Sequence, residues 1–487
     1  MIRDVMNENQ NLLYNILSSL HENIMYVGQQ QMKDNSPVII SKENLKAFLK
    51  LREISSEKVN FNLLHEGLSS LSTIHPHIHY SINKMLNNLK VIDQVPPYHL
   101  SPHISNQIKK DRNMRLFGRT KTSVMVTLHS SMLDNPKIIK DLLSHGMNIA
   151  RINCAHDSPE IWQKLVDHIR EAELEIGQER NSCKIHMELA GPKIRVENIY
   201  YPEKQVDGER PYFNVLSGDM ITIIKDELAL DLFAKESKVF SINSPKALQN
   251  VSLKDKVFFN DGKIIGEVCS ITDQWVGINI LKTNKKITKL REEGGLNLPD
   301  SFVHFIMPAM TDTDIDILPF VYGLADSIGL SFVHHPRDLE KIRMHLHPLP
   351  KKNIGIIAKI ETKEAFHNLS KIIMEGLHFD SFGIMIARGD LAVELGFTKL
   401  ASIQEEIITL CQAAHIPIIW ATGVLEQLTK KGMPSRAELT DTYRGLQADC
   451  IMLNKGEYAV EALQTIYELM IHDSETSRRK QTFIQYQ

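Results

Sequence analysis

Charged and hydroxyl-bearing side chains stand at the ends of several short apolar runs. In the stretch IIAKIE, Lys359 and Glu361 end such a run. They point to the same side if the run is a strand, because side chains alternate along a strand. Comparable positions elsewhere are occupied by Arg151, Asn153, Glu188, Lys193, Arg195, Arg388, Gly389, Asp390 and Thr422. An isolated Lys–Glu pair is most simply a salt bridge at a strand end, so the elements that carry these residues decide what they can do.

The residue types in this set are typical of a site that handles phosphate or an enolate. Glu361 and Asp390 are carboxylates, which suit Mg²⁺ or Mn²⁺ and leave coordination positions for a substrate. Arg151, Arg195 and Lys359 could neutralise a phosphate or an enolate. The sequence contains no GxxxxGK[ST] loop, no GxGxxG fingerprint and no HRD/DFG set, which predicts a phosphoryl-handling enzyme of another kind. The alternative is a ring of stabilising ion pairs.

A repeated strand–helix pattern explains how these residues could meet. Eight apolar runs, each followed by a helical pattern, predict an α/β fold with a closed (β/α)₈ TIM barrel. The runs are 123–128, 147–153, 183–189, 326–333, 353–361, 382–390, 416–423 and 449–456. Because barrel strands are parallel, the residues that end them converge on one rim, where barrel active sites form.

The remaining segments predict two further domains. Alternating β-branched segments between Gly/Asp turns predict an all-β lid domain, a small β-barrel, inserted after strand 3 over residues 196–300. Residues 1–118 predict an N-terminal α-helical domain that ends in a linker or extended crossing at 95–104. The barrel is expected over 119–195 and 301–471, followed by a tail, 472–487. His75, His77 and His79 favour a solvated loop over a metal site, because no fourth ligand accompanies them.

Composition narrows the class of protein. The chain has 487 residues, 43% of them hydrophobic, and a formal net charge of −3, which argues against binding to nucleic acid or a membrane surface. Five cysteines without a CxxC spacing predict buried, inert thiols in a reducing compartment. The N-terminus lacks the apolar core of a signal peptide, and no run is long enough to span a membrane. We therefore expect a cytoplasmic protein.

Several motifs resemble, in order, those of the pyruvate kinase family. They include GMNIARINCAHD (146–157), ELAGPKIR (188–195), FFNDGKI (258–264), GGLNLPD (294–300), IIAKIE (356–361) and IMIARGDLAVELG. The resemblance covers about 119–470. The segment NLLHEGLSSLSTIHPHI resembles part of a bacterial pyruvate kinase-like subgroup with an N-terminal helical extension and no C-terminal regulatory domain. The short tail after EALQTIYELM (461–470) agrees with that subgroup.

The resemblance implies a glycolytic enzyme that transfers phosphate from phosphoenolpyruvate to ADP, giving pyruvate and ATP. It implies that Glu361 and Asp390 hold Mg²⁺ or Mn²⁺, and that Lys359 and Arg151 contact the transferred phosphoryl group. It also implies that Gly389 lies near the substrate carboxylate and Thr422 near the carbon that is protonated. On the nucleotide side the matching residues are His156, Arg195 and Asp261.

The chain departs from the family pattern at two ligand positions. The family's monovalent-cation site uses Asn, Ser, Asp and Thr, and the corresponding residues here are Asn153, Ala155, Glu188 and Leu189. Lys193 stands where potassium-dependent members carry a glutamate, so we expect K⁺ not to be required. Two lysines at the lid exit are replaced by Glu293 and Gly294, for which Lys289 or Arg291 could compensate.

Three functional alternatives remain open from the sequence. The first is the phosphotransferase, expected as a homo-oligomer that does not assemble through the usual C-terminal domain. The second is a metal-dependent 2-oxo-acid lyase or aldolase on the same barrel, which would stabilise a pyruvate enolate with the same groups. The third is a pyruvate kinase-like binding protein that has lost turnover. Lys359 together with the inserted lid favours the first, because a lyase does not need to close over a nucleotide.

Overall fold

A computed structural model of the chain describes residues 36–54, 71–88, 101–203, 210–301, 308–350 and 353–484, and a few single positions before residue 70. Among these residues, three α-helices precede the first strand: α1 (Pro37–Ile54), α2 (Ile78–Asn88) and α3 (Pro102–Phe117). The barrel then begins with β1 (Ser123–Thr127), α4 (Lys137–Ser144), β2 (Ile149–Asn153), α5 (Pro159–Glu175) and β3 (Lys184–Glu188). Every residue of β1 is buried, as expected of barrel strands that are covered on both faces.

The chain between β3 and the next barrel strand forms a separate, sheet-rich insertion. Its strands are β4 (Val196–Ile199), β5 (Tyr212–Val215), β6 (Met220–Ile224), β7 (Lys238–Ile242), β8 (Lys256–Phe259), β9 (Ile264–Ile271), β10 (Trp275–Thr283), β11 (Thr288–Arg291) and β12 (Leu296–Asn297). Seven of them form one sheet in the order β12-β8-β9-β10-β6-β7-β4, and β5 pairs with β11. A bridge between Arg195 and Gly295 joins the two ends of the sheet, so it curls almost closed around its own apolar core.

The barrel resumes after the insertion. Its elements are α6 (Asp312–Leu324), β13 (Ser327–Leu330), α7 (Pro336–Leu346), β14 (Gly355–Ile360), α8 (Lys363–His367), α9 (Leu369–Gly376), β15 (Phe382–Ala387), α10 (Arg388–Leu395), α11 (Phe397–Ala413), β16 (Ile418–Ala421), α12 (Glu426–Lys431), α13 (Arg436–Gly445), β17 (Cys450–Leu453) and α14 (Ala459–Ile484). The strands close in the order β1-β17-β16-β15-β14-β13-β3-β2. The predicted fold class is therefore confirmed, whereas the domain boundaries stay predictions.

Helix α3 closes the end of the barrel opposite the predicted rim. Leu116 and Phe117, at the end of α3, pack into the apolar cluster inside the barrel. Gly355 and Gly383 leave room for Leu116, because a Cβ on either would lie 2.4 Å or 2.6 Å from its Cδ atoms. Arg112 of α3 also donates to the carbonyl oxygen of Ala414, 2.7 Å away. This packing fixes the base of the barrel on which the site is built.

Three expectations need correction. The stretch 95–104 was expected to be irregular, but α3 begins at Pro102, a proline at a favourable first-turn position; residues 95–100 lie outside the described part. The run 382–390 is not all strand, because Arg388, Gly389 and Asp390 form the first turn of α10. Cys269 is exposed rather than buried, since it faces outward from the inserted sheet.

Two further features bear on the class of protein. The triplet His75, His77 and His79 was expected in a solvated loop, but His79 lies in α2 and is buried, and His75 contacts the side-chain oxygen of Gln412 at 2.7 Å. The described residues hold no group of three or more His, Cys, Asp or Glu that could bind a metal. A search of the same residues for a helix with the length and apolarity of a membrane span finds none.

Candidate active site

An ion cluster lies at the rim where β2, β3 and β14 end. Arg151 donates two hydrogen bonds to the carboxylate of Glu188, with Nε 3.0 Å from Oε2 and Nη2 2.7 Å from Oε1. Lys359 Nζ donates to the same Oε1 at 3.0 Å and to Ser331 Oγ at 3.0 Å. All three ionised groups are buried. The parallel strands bring these residues together because each stands at the same end of its strand.

Mutual attraction keeps the cluster ionised. Burial alone would raise the pKa of Glu188, but Arg151 and Lys359 outweigh burial and hold that pKa well below its usual range. Burial alone would lower the pKa of Lys359, but the carboxylates of Glu188 and Glu361 outweigh it and raise that pKa. Lys359 is therefore a fixed cation at any physiological pH.

Glu361 is the second carboxylate that contacts Lys359. One of its oxygens lies 2.8 Å from Lys359 Nζ, and the other accepts a hydrogen bond from the backbone N–H of Phe332 at 2.6 Å. Phe332 has a φ of 53°. Its amide contacts the carboxylate from this left-handed backbone conformation. Burial raises the pKa of Glu361, Lys359 opposes the shift and the carboxylate of Asp390 adds to it. Both carboxylates line the same cavity.

Asp390 lies where the insertion meets the barrel. Lys193 Nζ is 3.0 Å and 3.2 Å from its two carboxylate oxygens, and Asn297 of the insertion donates to it at 3.3 Å. Lys193 also lies 3.6 Å from Asp261 in a turn of the insertion. The loop that carries Lys193 is fixed by Asp314, which accepts the backbone N–H groups of Ala190 and Gly191 at 3.0 Å and 3.2 Å.

Gly389 and Thr422 meet at the same rim. A Cβ on Gly389 would lie 2.9 Å from Thr422 Cγ2, so the glycine permits this close approach. Thr422 has a φ of 69°, which is uncommon for a residue with a branched Cβ. Arg388 donates to the carbonyl oxygens of Ala421 and Thr422 at 2.9 Å and 2.6 Å. Arg388 therefore fixes the Thr422 turn and does not serve as a rim cation.

The predicted site residues line adjoining cavities. A cavity of about 180 Å³ is lined by most of them: Arg151, Asn153, Glu188, Lys193, Arg195, Asp261, Lys359, Glu361, Gly389, Asp390 and Thr422. A neighbouring cavity of about 650 Å³ is lined in part by His156. Both cavities are lined by Arg151, Asn153, Ala155 and Asn454. We call the cavity lined by Lys359 the donor cavity and the cavity lined by His156 the acceptor cavity.

The residues expected at the monovalent-cation site form hydrogen bonds and ion pairs with other protein groups. Both oxygens of Glu188 are taken by Arg151 and Lys359, and Asn153 Oδ1 accepts the backbone N–H of Ala155 at 3.1 Å. The ammonium of Lys193 lies on Asp390, across the donor cavity from that part of the rim. The three residues line one cavity but do not converge on a single ion position.

Some site residues were not singled out from the sequence. Ser331 and the amide of Phe332 contact Lys359 and Glu361, and Asn297 reaches Asp390 from the insertion. His186 is fully buried, with Nε2 4.0 Å from Glu188 Oε2 and Nδ1 2.9 Å from Ser327 Oγ. The alternation of side chains along β3 could have identified His186, because His186 and Glu188 are two residues apart and share the inward face.

The carboxylates of Glu361 and Asp390 are suitable ligands for a divalent cation. Glu361 follows β14, Asp390 lies in the first turn of α10 after the neighbouring strand β15, and both line the donor cavity. Hard cations such as Mg²⁺ commonly use one or two protein carboxylates and take their other ligands from water and substrate phosphate. With only two carboxylates here, the remaining ligands would come from a bound anion and water.

Comparisons with known proteins agree with this geometry. The family model for the pyruvate kinase barrel domain matches residues 119–463. The chain is 30% identical to pyruvate kinase of Thermotoga maritima over 68% of this chain and 67% of that protein. It is 29% identical to pyruvate kinase of Hypocrea jecorina over 73% of this chain and 63% of that protein. With the Geobacillus stearothermophilus pyruvate kinase it shares 29% identity over 72% of this chain and 57% of that protein. The chain thus spans about 57% to 67% of the length of these curated relatives.

Proposed function

The chain belongs to the pyruvate kinase family, and we propose that it transfers the phosphoryl group of phosphoenolpyruvate to ADP, giving pyruvate and ATP. The observation that supports this proposal best is the junction of the two cavities at Arg151. The donor cavity gathers Lys359, Glu361 and Asp390, and the acceptor cavity opens from it beside the same arginine. A phosphoryl group passing between them would move past that guanidinium.

The proposed roles follow from the charges. A loose phosphoryl-transfer transition state needs alignment and charge neutralisation more than covalent assistance. Lys359, buried and permanently charged, meets the transferring group and the enolate that remains. Arg151 binds the transferring group from the acceptor side. Both cations are held by Glu188, so they are in place before substrate arrives.

Glu361 and Asp390 are proposed to hold Mg²⁺ or Mn²⁺. When bound, the ion would polarise the phosphate and carboxylate oxygens of the substrate. The chain's own contribution is the position of the two carboxylates, which the Phe332 amide and the Lys193 ammonium fix. Gly389 lets the backbone approach the substrate carboxylate, and Thr422 orients the proton delivered to the enolate carbon.

Turnover without K⁺ is part of the proposal. The Lys193 ammonium supplies a positive charge on the rim, and its pKa is raised because Asp390 and Asp261 outweigh the effect of burial. Both oxygens of Glu188 already accept hydrogen bonds from Arg151 or Lys359. A homo-oligomeric assembly stays a prediction from the family.

One experiment tests the proposal against its alternatives. Purified protein is incubated with Mg²⁺ and either phosphoenolpyruvate plus each nucleoside diphosphate or a 2-oxo acid longer than pyruvate, and pyruvate and triphosphate are measured together. Equal amounts of both support phosphoryl transfer. Pyruvate released from a longer oxo acid without triphosphate would identify a lyase. Binding of phosphoenolpyruvate with neither product would identify a binding protein and end the proposal.

A further inference from the structure

The acceptor cavity is lined by cations from both sides of the cleft. Lys455 lies in the loop after β17, and Lys430 lies on α12 of the barrel. Arg210 faces them from the insertion, immediately before β5. Lys430 pairs with Glu426. Among the residues that the structure describes, neither Lys455 nor Arg210 has a carboxylate within 4.0 Å, the ion-pair distance.

The cations act on a common neighbour. Burial lowers the pKa of His156, and Lys455, Arg195 and Arg210 lower it further. Burial and Lys455 also lower the pKa of His129. Lys455 of the barrel therefore acts on both imidazoles and Arg210 of the insertion acts on His156, whereas the carboxylate of Asp157 opposes both shifts without reversing them. Like charges brought together in a cleft favour the binding of an anion between them.

The family's usual anion-binding position is altered. Glu293 stands at the lid exit in place of a lysine, and it lines the same cavity. Its carbonyl oxygen accepts a hydrogen bond from Arg195 at 3.0 Å, and its φ is 65°. The acceptor cavity therefore carries a negative charge where a positive one is expected. Another group must neutralise the phosphates of the acceptor.

We propose that Lys455 and Arg210 bind the diphosphate of the acceptor nucleotide, replacing the missing lid-exit lysines and drawing the insertion toward the barrel. This inference rests on the proposed function, because it identifies the acceptor site of that reaction. The donor side already has its own cations, Arg151 and Lys359, paired with Glu188. Lys455 and Arg210, which form no ion pair with any residue that the structure describes, line the neighbouring cavity, where the acceptor would enter.

The test compares Lys455→Gln, Arg210→Gln and the matched control Lys431→Gln. Lys431 neighbours Lys430 on α12, is exposed, and does not line the acceptor cavity. Lys455 and Arg210 are also exposed, so the folds of both variants should be intact. The measurements are calorimetric titration of ADP with Mg²⁺ and the separate KM values for ADP and phosphoenolpyruvate.

We expect Lys455→Gln to weaken ADP binding about tenfold or more, because it removes one charged hydrogen-bond donor. Its KM for phosphoenolpyruvate should change less than about twofold. Arg210→Gln should weaken ADP binding similarly, and Lys431→Gln should not. Adding Glu293→Lys to Lys455→Gln should restore part of the affinity, because a cation returns to the lid exit.

The outcomes separate this inference from the proposed function. Lys455→Gln that binds ADP as well as wild type overturns the inference, and so does wild-type protein that does not bind ADP. Wild-type protein that binds ADP through Lys455 but makes no ATP supports the inference and overturns phosphoryl transfer.

Discussion

Replacing Lys359 by Met removes the cation that lies between two buried carboxylates. Its Nζ is 3.0 Å from Glu188 and 2.8 Å from Glu361. A preorganised donor aimed at developing charge in a closed site contributes about 3–4 kcal/mol. Because Lys359 carries a full charge, we take about 4 kcal/mol. At 1.36 kcal/mol for each factor of ten, this corresponds to roughly a 10³-fold loss in kcat.

The same substitution costs stability by a separate route. Glu188 keeps both hydrogen bonds from Arg151, whereas Glu361 keeps only the Phe332 amide. Breaking a buried ion pair costs about 3–5 kcal/mol when a charge is left uncompensated. Glu361 can take up a proton, since burial already raises its pKa, so we expect about 3 kcal/mol. A carboxyl whose pKa is raised by folding loses its contribution as pH rises, so the variant should be less stable at pH 8 than at pH 5.

The assay and its control separate the two effects. Steady-state formation of pyruvate and ATP gives kcat, and urea unfolding gives the free energy of unfolding. Lys184→Met is the control, because Lys184 lies at the other end of β3 and pairs with Asp326 at 3.4 Å. It should leave kcat unchanged. Folded Lys359→Met protein with kcat within tenfold of wild type would refute the role assigned to Lys359.

Three more predictions follow from other parts of the molecule. Wild-type activity should be the same in tetramethylammonium and potassium salts, whereas Lys193→Glu should lose activity and regain part of it with KCl; a wild type activated by KCl contradicts this. Folding holds the pKa of His186 and His415 at about 4, so the unfolded chain binds protons first on acidification, and stability falls by about 2 kcal/mol per histidine between pH 7 and 5. Urea unfolding of His415→Gln should show about half of the combined fall caused by the two histidines, and a pH slope equal to that of wild type would count against this account. Leu116→Ala should lower the free energy of unfolding by about 3 kcal/mol and Gly355→Ala by about 2 kcal/mol. In urea unfolding, the double variant should lose less than the sum of the two, because the alanine Cβ at position 355 fills the space that Leu116 leaves.

The convergence of the site was predictable from the sequence. The end positions of eight parallel strands must share a rim, and this topology alone places Arg151, Glu188, Lys359 and Glu361 together. The alternation of strand residues also predicted that Lys359 and Glu361 face the same way, and their 2.8 Å contact agrees. These inferences need only the period of the elements and the parallel topology.

The choice of partners was not predictable in the same way. Arg388 ends a strand-like run but turns back to the carbonyl oxygens of Ala421 and Thr422, because α10 begins there. Lys193 lies on Asp390, and that contact depends on how the insertion folds back over the rim. Such contacts depend on helix starts and turn conformations, such as the φ of 69° at Thr422, that residue spacing does not specify.

The ion pairs of the donor cavity have a consequence for ligand binding. Arg151, Lys359 and Lys193 are each matched by a carboxylate, from Glu188, Glu361 and Asp390. A divalent cation arriving alone must compete with Lys359 and Lys193 for its carboxylates, and an anionic substrate arriving alone must compete with Glu188 for its cations. If both were bound, the carboxylates displaced from lysine would meet the metal, and the freed ammonium groups would meet the substrate. Because no charge would then be left unpaired among these buried groups, each ligand should strengthen the binding of the other.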